Sequence, residues 1–265
     1  MLNYPCYVLH VKKGYEDRER SIVSQFAALD QPFEWLLDYD IPDLTPEIVA
    51  HYGYNGIKLR PSEISCSLKH ITAWERLVAS SAQGGIVFED DVILDQRQFV
   101  NVAVEAIVEF ASGGDVGCLS LGDGYGLYVP WTKLQRGRYL YPAEQVRGGD
   151  CYFLTRSAAA MMLDLVGREG FYLPADHLIN RLCHQLDIPI FWVAPTLAKQ
   201  GSHTGLFSSM IQTEVRGGLK GKLFWAIKKF RRKFIYPLLG VDQRKLSPEL
   251  RADLGIACDS MLRRM

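Results

Sequence analysis

The 265-residue chain is 48% hydrophobic and 23% charged, with 30 basic and 30 acidic side chains that cancel to a formal net charge of zero. That composition predicts one sizeable soluble core with at most a small appendage. No stretch approaches the roughly 18–20 apolar residues a helix needs to cross a bilayer, and Met1–Tyr7 lacks the basic-then-apolar order of an export signal, so neither a membrane span nor export is expected.

Tyr7–Val11 (YVLHV) predicts a first strand, and a charged loop leads from it into the helical pattern RERSIVSQFAAL. FEWLLDY predicts the second strand of a β-α-β unit. The turn-rich DIPDLTPEIVAHYGYNG predicts a connection with at most one helical turn. A strong helical pattern follows in LRPSEISCSLKHITAWERLVAS. Ser62 is its expected N-cap, and Glu63 sits in the first turn, where the helix dipole favours an anion. Ile64, Leu68, Ile71 and Val78 form the core stripe. The adjacent stripe of Glu63, Ser67, His70, Trp74 and Leu77 is more polar than a core requires. GGIVFEDDVIL predicts a central strand, FVNVAVEAIVEFA a helix, VGCLSLG a strand, and DGYGLYVPWTKLQRGRYLYP a long surface loop or hairpin. GGDCYFLTRSAAAMMLDLV predicts a strand and a Ser-capped helix, PADHLINRLCHQL another helix, and IPIFWVAP a late strand. Such alternation predicts an α/β fold on a largely parallel sheet, whose ligands bind beyond the carboxyl ends of the strands.

Glu89, Asp90 and Asp91 fall at that position, directly after the apolar run Ile86-Val87-Phe88. If the strand continues through them, Glu89 and Asp91 share one face and Asp90 points to the other. Two carboxylates on one face suit a hard cation, Mg²⁺ or Mn²⁺, that bridges to substrate phosphates. A solvated strand end with capping acids explains the same three residues, and the local pattern leaves both open.

Beyond local pattern, PSEISCSLKHITAWERLV followed by GGIVFEDDVIL resembles the hallmark block of glycosyltransferase family 25, the lipopolysaccharide and lipooligosaccharide galactosyltransferases and their collagen-modifying relatives. GGDCYFLTRSAAAMML, LPADHL and IPIFWVAPTLAKQGS are similar to later blocks of that family, in the same order, and the opening YVLHVKKGYEDRERSIVSQFAALDQPFEW resembles its nucleotide-side unit. The resemblance runs from about Tyr7 to Ser209. Lys69 and Ser65 stand where the family usually has Ser and Gly, and Asp150 where it has a small residue or Thr. The resemblance implies a GT-A-like fold, a UDP-sugar donor (usually UDP-galactose), Mn²⁺ or Mg²⁺, and inversion at the anomeric carbon.

Within that frame Asp91 is the first expected metal ligand, with Glu89 in the metal's water shell or on the ribose and Asp90 as an alternative to either. Arg18, which matches the family's loop arginine, is expected at a phosphate or the uracil-side loop, unless it is a plain surface charge. The acceptor hydroxyl needs a general base within hydrogen-bond reach. Asp176 is the first choice because it matches the family's Asp, although a helix N-cap explains it equally; Asp150 and Asp123 are the runners-up. Glu63 and His70 are expected to shape the donor pocket, and Gln200 and His203 to close over the diphosphate, with His203 a further candidate metal ligand.

Val215–Gly240 contains no acid but holds Arg216, Lys220, Lys222, Lys228, Lys229, Arg231, Arg232 and Lys233. Leu219, Leu223, Ile227, Phe230 and Phe234 fall on one helical face there. A basic amphipathic helix of this kind fits an anionic membrane surface, though an apolar stripe can also pack on a core. The expected organisation is a transferase domain over 1–212 and a basic helical extension over 213–265. The expected enzyme is cytoplasmic, peripherally attached to the inner membrane, with a lipooligosaccharide acceptor and no nucleic-acid partner. The six scattered cysteines read as reduced, mostly buried thiols. A metal-dependent phosphoesterase and an inactive carbohydrate-binding module are the alternatives.

Overall fold

A computed structural model describes residues 1–54, 59–124, 126–204, 206–207 and 219–256. In chain order the elements begin with β1 (Cys6–Leu9), α1 (Glu16–Ala28), β2 (Glu34–Leu36), α2 (Pro46–His51), α3 (Pro61–Ala79), β3 (Gly84–Glu89), β4 (Val92–Leu94) and α4 (Phe99–Ala111). They continue with β5 (Cys118–Ser120), β6 (Leu140–Ala143), β7 (Cys151–Thr155), α5 (Arg156–Glu169), α6 (Ala175–Gln185), β8 (Ile190–Val193), β9 (Ala198–Gln200) and α7 (Gly201–Thr204). After the undescribed stretch 208–218 come α8 (Leu219–Phe230), a π-type turn over Arg231–Ile235, α9 (Tyr236–Leu238) and α10 (Pro248–Asp253).

Seven strands form one sheet in the order β2-β1-β3-β7-β5-β8-β6. β1 pairs in parallel with β2 and β3, and β5 with β8, whereas β7 runs against both β3 and β5, and β6 against β8. The expected α/β fold with a mostly parallel sheet is therefore what forms, Rossmann-like and of GT-A character. β4 and β9 make a separate antiparallel ribbon.

One apolar layer lies between the sheet and the helices α3, α5 and α6, with Leu68, Trp74, Leu77, Met162 and Ile179 in it. The other layer holds Ile22, Phe26, Phe88, Phe99 and Ile107 beneath α1 and α4. Each fully buried Leu, Ile or Phe in these layers contributes about 1.5–3 kcal/mol relative to exposure, which is why the helical stripes choose their sheet faces so firmly.

Several local expectations are corrected. The helix cap falls at Arg60, not Ser62: Pro61 takes the first helical position, where a missing N–H is harmless, and Glu63 reaches back to accept the Arg60 backbone N–H at 2.8 Å. The polar stripe of α3 is mostly core, because Ser67, His70, Trp74 and Leu77 are all wholly buried beneath neighbouring elements, while Glu63 stays partly exposed. α5 is capped by Thr155, whose Oγ1 accepts the Ala158 N–H, instead of by Ser157. α2 is longer than one turn, with Thr45 accepting the Ile48 N–H. The aromatic-rich loop after β5 contributes β6 to the sheet edge. Finally, β3 stops at Glu89, and Asp90 and Asp91 form a turn into β4.

The basic segment returns to the domain. Lys229 Nζ donates to Asp123 Oδ2 at 2.7 Å, and Asp123 is almost completely buried. Gln145 Nε2 donates to the carbonyls of Gln243 and Lys245, and Arg251 pairs with Glu144. The expected boundary at 212/213 lies outside the described residues. Among the described residues no helix is long and apolar enough to cross a membrane.

Candidate active site

Strand register assembles the site. Leu9 of β1 lies opposite Glu89 of β3, so the next residues, His10 and Asp90, leave the sheet side by side. His10 Nδ1 and Asp90 Oδ2 are 2.6 Å apart, and Arg18 Nη1 donates to Asp90 Oδ1 at 2.6 Å. Both oxygens of Asp90 are thus engaged within the protein. Burial opposes the charge on Arg18, yet Asp90 and then Asp91 outweigh it and raise its pKa, so the guanidinium stays charged.

Beyond these strand ends opens a cleft of about 760 Å³. Glu89, Asp90, Asp91, Arg18, Glu63, Gln200 and Asp176, all singled out from the sequence, reach it together; Lys12, Lys13, Cys66, His177, Gly148 and Gly149 complete much of its lining. Asp176 stands in the first turn of α6 and is no N-cap, a role Pro174 takes. Glu63 is tied to Arg60 at the mouth, at 2.9 Å. His70 and Asp150 do not line the cleft. His70 is wholly buried behind Glu89, and Asp150 lies beneath the β5 strand end, where a Cβ on Gly122 would fall 2.1 Å from its Oδ2. His203 belongs to the short helix α7, and its side chain is outside the described residues.

The acids are crowded and short of partners. Asp91 Oδ2 accepts the Ser202 N–H at 3.3 Å, while its buried Oδ1 has no partner. Glu89 Oε2 receives one long bond, 3.4 Å, from Gln200 Nε2. Burial first, and then Asp91, Asp90 and Asp176, push the Glu89 carboxyl up to about 8. Burial raises Asp91 as well, against the pull of Ser202 and Arg18. Asp150 sits well above the usual carboxylate range through burial and then through Glu89, Asp123 and Asp91, with Arg147 opposing. Burial brings His70 down to about 4, so it is neutral at physiological pH. An acidic group with uncommitted oxygens, held in a cleft and destabilised by its own like charges, fits a hard divalent cation. Glu89 and Asp91 are the residues that would hold it.

Two parts of the site were not anticipated from sequence. His10 follows β1 as Asp90 follows β3, and the strand-end rule applied to YVLHV would have found it. Lys69, the departure beside His70, is buried and donates to Asp40 Oδ1 at 2.8 Å and to the Asp38 carbonyl. It braces the far wall of the cleft, and no local pattern marks that pairing.

The sheet and its acid-lined cleft define an α/β protein of the GT-A kind, with its site at the carboxyl ends of a mostly parallel sheet. The profile of glycosyltransferase family 25 (LPS biosynthesis protein) matches residues 5–116, the stretch that carries β1, α3 and the Glu89–Asp91 tip. A curated Haemophilus influenzae protein named "Putative glycosyltransferase" is 24% identical over 193 residues, which cover 70% of this chain and 66% of that protein. The resemblance to glycosyltransferase family 25 is thereby borne out. The chain spans just under two thirds of the length of that relative.

Proposed function

We propose that the protein transfers a sugar, galactose by the family's habit, from a UDP-sugar to a lipopolysaccharide or lipooligosaccharide acceptor, with inversion and with Mn²⁺ or Mg²⁺. One observation carries this reading: two mutually repelling acids, Asp91 with an unpartnered oxygen and Glu89 with one long bond, face a cleft that also presents Arg18, Lys12 and Lys13. Acids and bases side by side are what a metal-bridged diphosphate requires. Glu89 and Asp91 would hold the cation, which would supply charge neutralisation to the departing diphosphate.

The chain's own groups do the rest. Arg18, held by Asp90 and stacked 4.2 Å over the Tyr15 ring, offers a positioned charge to the diphosphate. Asp176 receives the proton of the attacking acceptor hydroxyl. The new bond forms at the anomeric carbon as the bond to the diphosphate breaks, and UDP leaves with that electron pair. Asp150, buried behind the cleft, supports Glu89 through its backbone carbonyl, which accepts the Glu89 N–H at 2.9 Å.

The acceptor is presented at a membrane. Leu223, Ile227, Phe230, Phe234 and Leu238 are exposed on the C-terminal segment, beside Arg231 and Lys233. An apolar face flanked by cations favours the anionic cytoplasmic leaflet, at about 1 kcal/mol for each basic residue near the surface. The enzyme is accordingly cytoplasmic and peripheral.

Incubation with MnCl₂ and a panel of UDP-sugars tests the reading. We expect one donor to raise the melting temperature and to be slowly hydrolysed, both effects being lost in Asp91→Asn. Release of inorganic phosphate from simple phosphate esters would favour a phosphoesterase, and stabilisation without any turnover a carbohydrate-binding module.

A further inference from the structure

We propose that Cys66, His70 and Glu89 form a cation site for a borderline-soft divalent ion such as Zn²⁺, on the floor of the cleft. Cys66 and His70 are four residues apart on α3 and therefore share one helix face. Together with Glu89 from the tip of β3 they place a sulfur, a nitrogen and an oxygen within 4.8 Å of one another. His70 Nε2 lies 3.7 Å from Glu89 Oε1. Bonds of roughly 2.0–2.3 Å to tetrahedral Zn²⁺ demand ligand separations near that value, so small side-chain rotations complete the set.

Two independent observations aim these groups at a ligand. His70 is wholly buried, yet its Nε2 has no hydrogen-bond partner. A buried ring nitrogen left this way loses about 1–3 kcal/mol, unless something binds it. Gly149 supplies the room: a Cβ there would lie 3.1 Å from both His70 Nε2 and Glu89 Oε1. The outer support is also in place. His70 Nδ1 is 3.0 Å from the Tyr152 hydroxyl, which in turn accepts the Trp74 indole N–H at 2.9 Å. With the Nδ1 proton directed at Tyr152, Nε2 keeps its lone pair for a metal, and the ring orientation is fixed.

The thiolate sets this site apart from the hard-cation site that Glu89 and Asp91 suit, because Mn²⁺ and Mg²⁺ prefer oxygen ligands. Binding converts the Cys66 thiol to a thiolate and displaces the proton that Glu89 holds near neutral pH, and both protons pass to solvent. Glu89 belongs to both sets, so Zn²⁺ here withdraws a ligand from Mn²⁺. The site itself does not depend on glycosyl transfer.

Cobalt(II) substitution tests it without any turnover. Full-length protein titrated with CoCl₂ is expected to develop a thiolate-to-cobalt charge-transfer band and the intense visible bands of tetrahedral cobalt, both bleached by one equivalent of ZnSO₄. Cys66→Ser should abolish the charge-transfer band. Tyr152→Phe, which keeps the ring and loses the outer hydrogen bond, should weaken Co²⁺ binding by about 10–100-fold. A wild-type spectrum without the thiolate band, or one that Cys66→Ser leaves unchanged, overturns the proposal. UDP-sugar stabilisation by Mn²⁺ could still succeed in either case, so the two readings fail separately.

Discussion

Replacing Glu89 by Gln in metal-free protein is expected to stabilise the fold, increasingly so as the pH rises. The Glu89 carboxyl is held at about 8 in the native state against 4.5 ordinarily, chiefly by burial and then by Asp91, Asp90 and Asp176. Between those two values the native chain keeps a proton that the unfolded chain has lost. Stability therefore falls with rising pH across that window, and the full cost is present above about pH 8. At about 1.4 kcal/mol for each pH unit between the two values, the cost is on the order of 5 kcal/mol. The side chain keeps 24% of its surface accessible, and solvent relaxation there reduces the measurable effect to about 2–3 kcal/mol. Glu89→Gln preserves shape and removes the charge. Urea unfolding followed by tryptophan fluorescence, with chelator present, should show the variant gaining about 2–3 kcal/mol over wild type between pH 5 and pH 9. The difference reports Glu89 together with its repulsion of Asp150, whose raised carboxyl loses that neighbour in the variant. Saturating MnCl₂ should erase much of the gain by stabilising only the wild type. A variant-to-wild-type difference that stays flat across this pH range would refute the assignment of crowded, uncompensated charge at the strand tip.

Arg18→Met leaves buried Asp90 with His10 alone and should destabilise the fold by about 3–5 kcal/mol in the same urea assay at pH 7. Lys229→Met strips the Lys229 partner from buried Asp123 and should lower stability by about 1–3 kcal/mol. Replacing Ile227 and Phe230 with Asp should abolish co-sedimentation with phosphatidylserine-containing vesicles, and in wild type the same binding should weaken as salt rises. Mn²⁺ affinity measured by calorimetry should climb from pH 6 to pH 8, by up to about tenfold per unit, because the ion must displace the Glu89 proton.

Much of this molecule is legible where side-chain period and burial agree. Phe99–Ala111 forms the helix its apolar repeat predicts, and Ile86-Val87-Phe88 forms the central strand whose tip carries the site. Strand direction is another matter. The pattern CYFLT reads alike in either orientation, so the reversal of β7 between β3 and β5 has no local signature. The end of β3 was hidden for a similar reason, because Glu-Asp-Asp alternates as a strand would. Only the bonds of Asp90 to His10 and Arg18, drawn from 80 and 72 residues away, turn it out of the ladder. In the candidate site, Glu89 and Asp91 could be placed from their position behind an apolar run. The burial of His70 and Asp150 could not, since it depends on how α3 and β7 close over one another.

The reversed strand β7 has a consequence for how this cleft can change. Its neighbours contribute the loops that follow them, whereas β7 contributes the segment that precedes it, and Gly148 and Gly149 arrive at the mouth before any of its ladder bonds begin. Residues added upstream of that segment would reshape one lip while all sheet registers stay as they are. The fold thus keeps an adjustable margin beside a fixed acidic tip, so that lip of the cleft can be redrawn without moving Glu89 or Asp91.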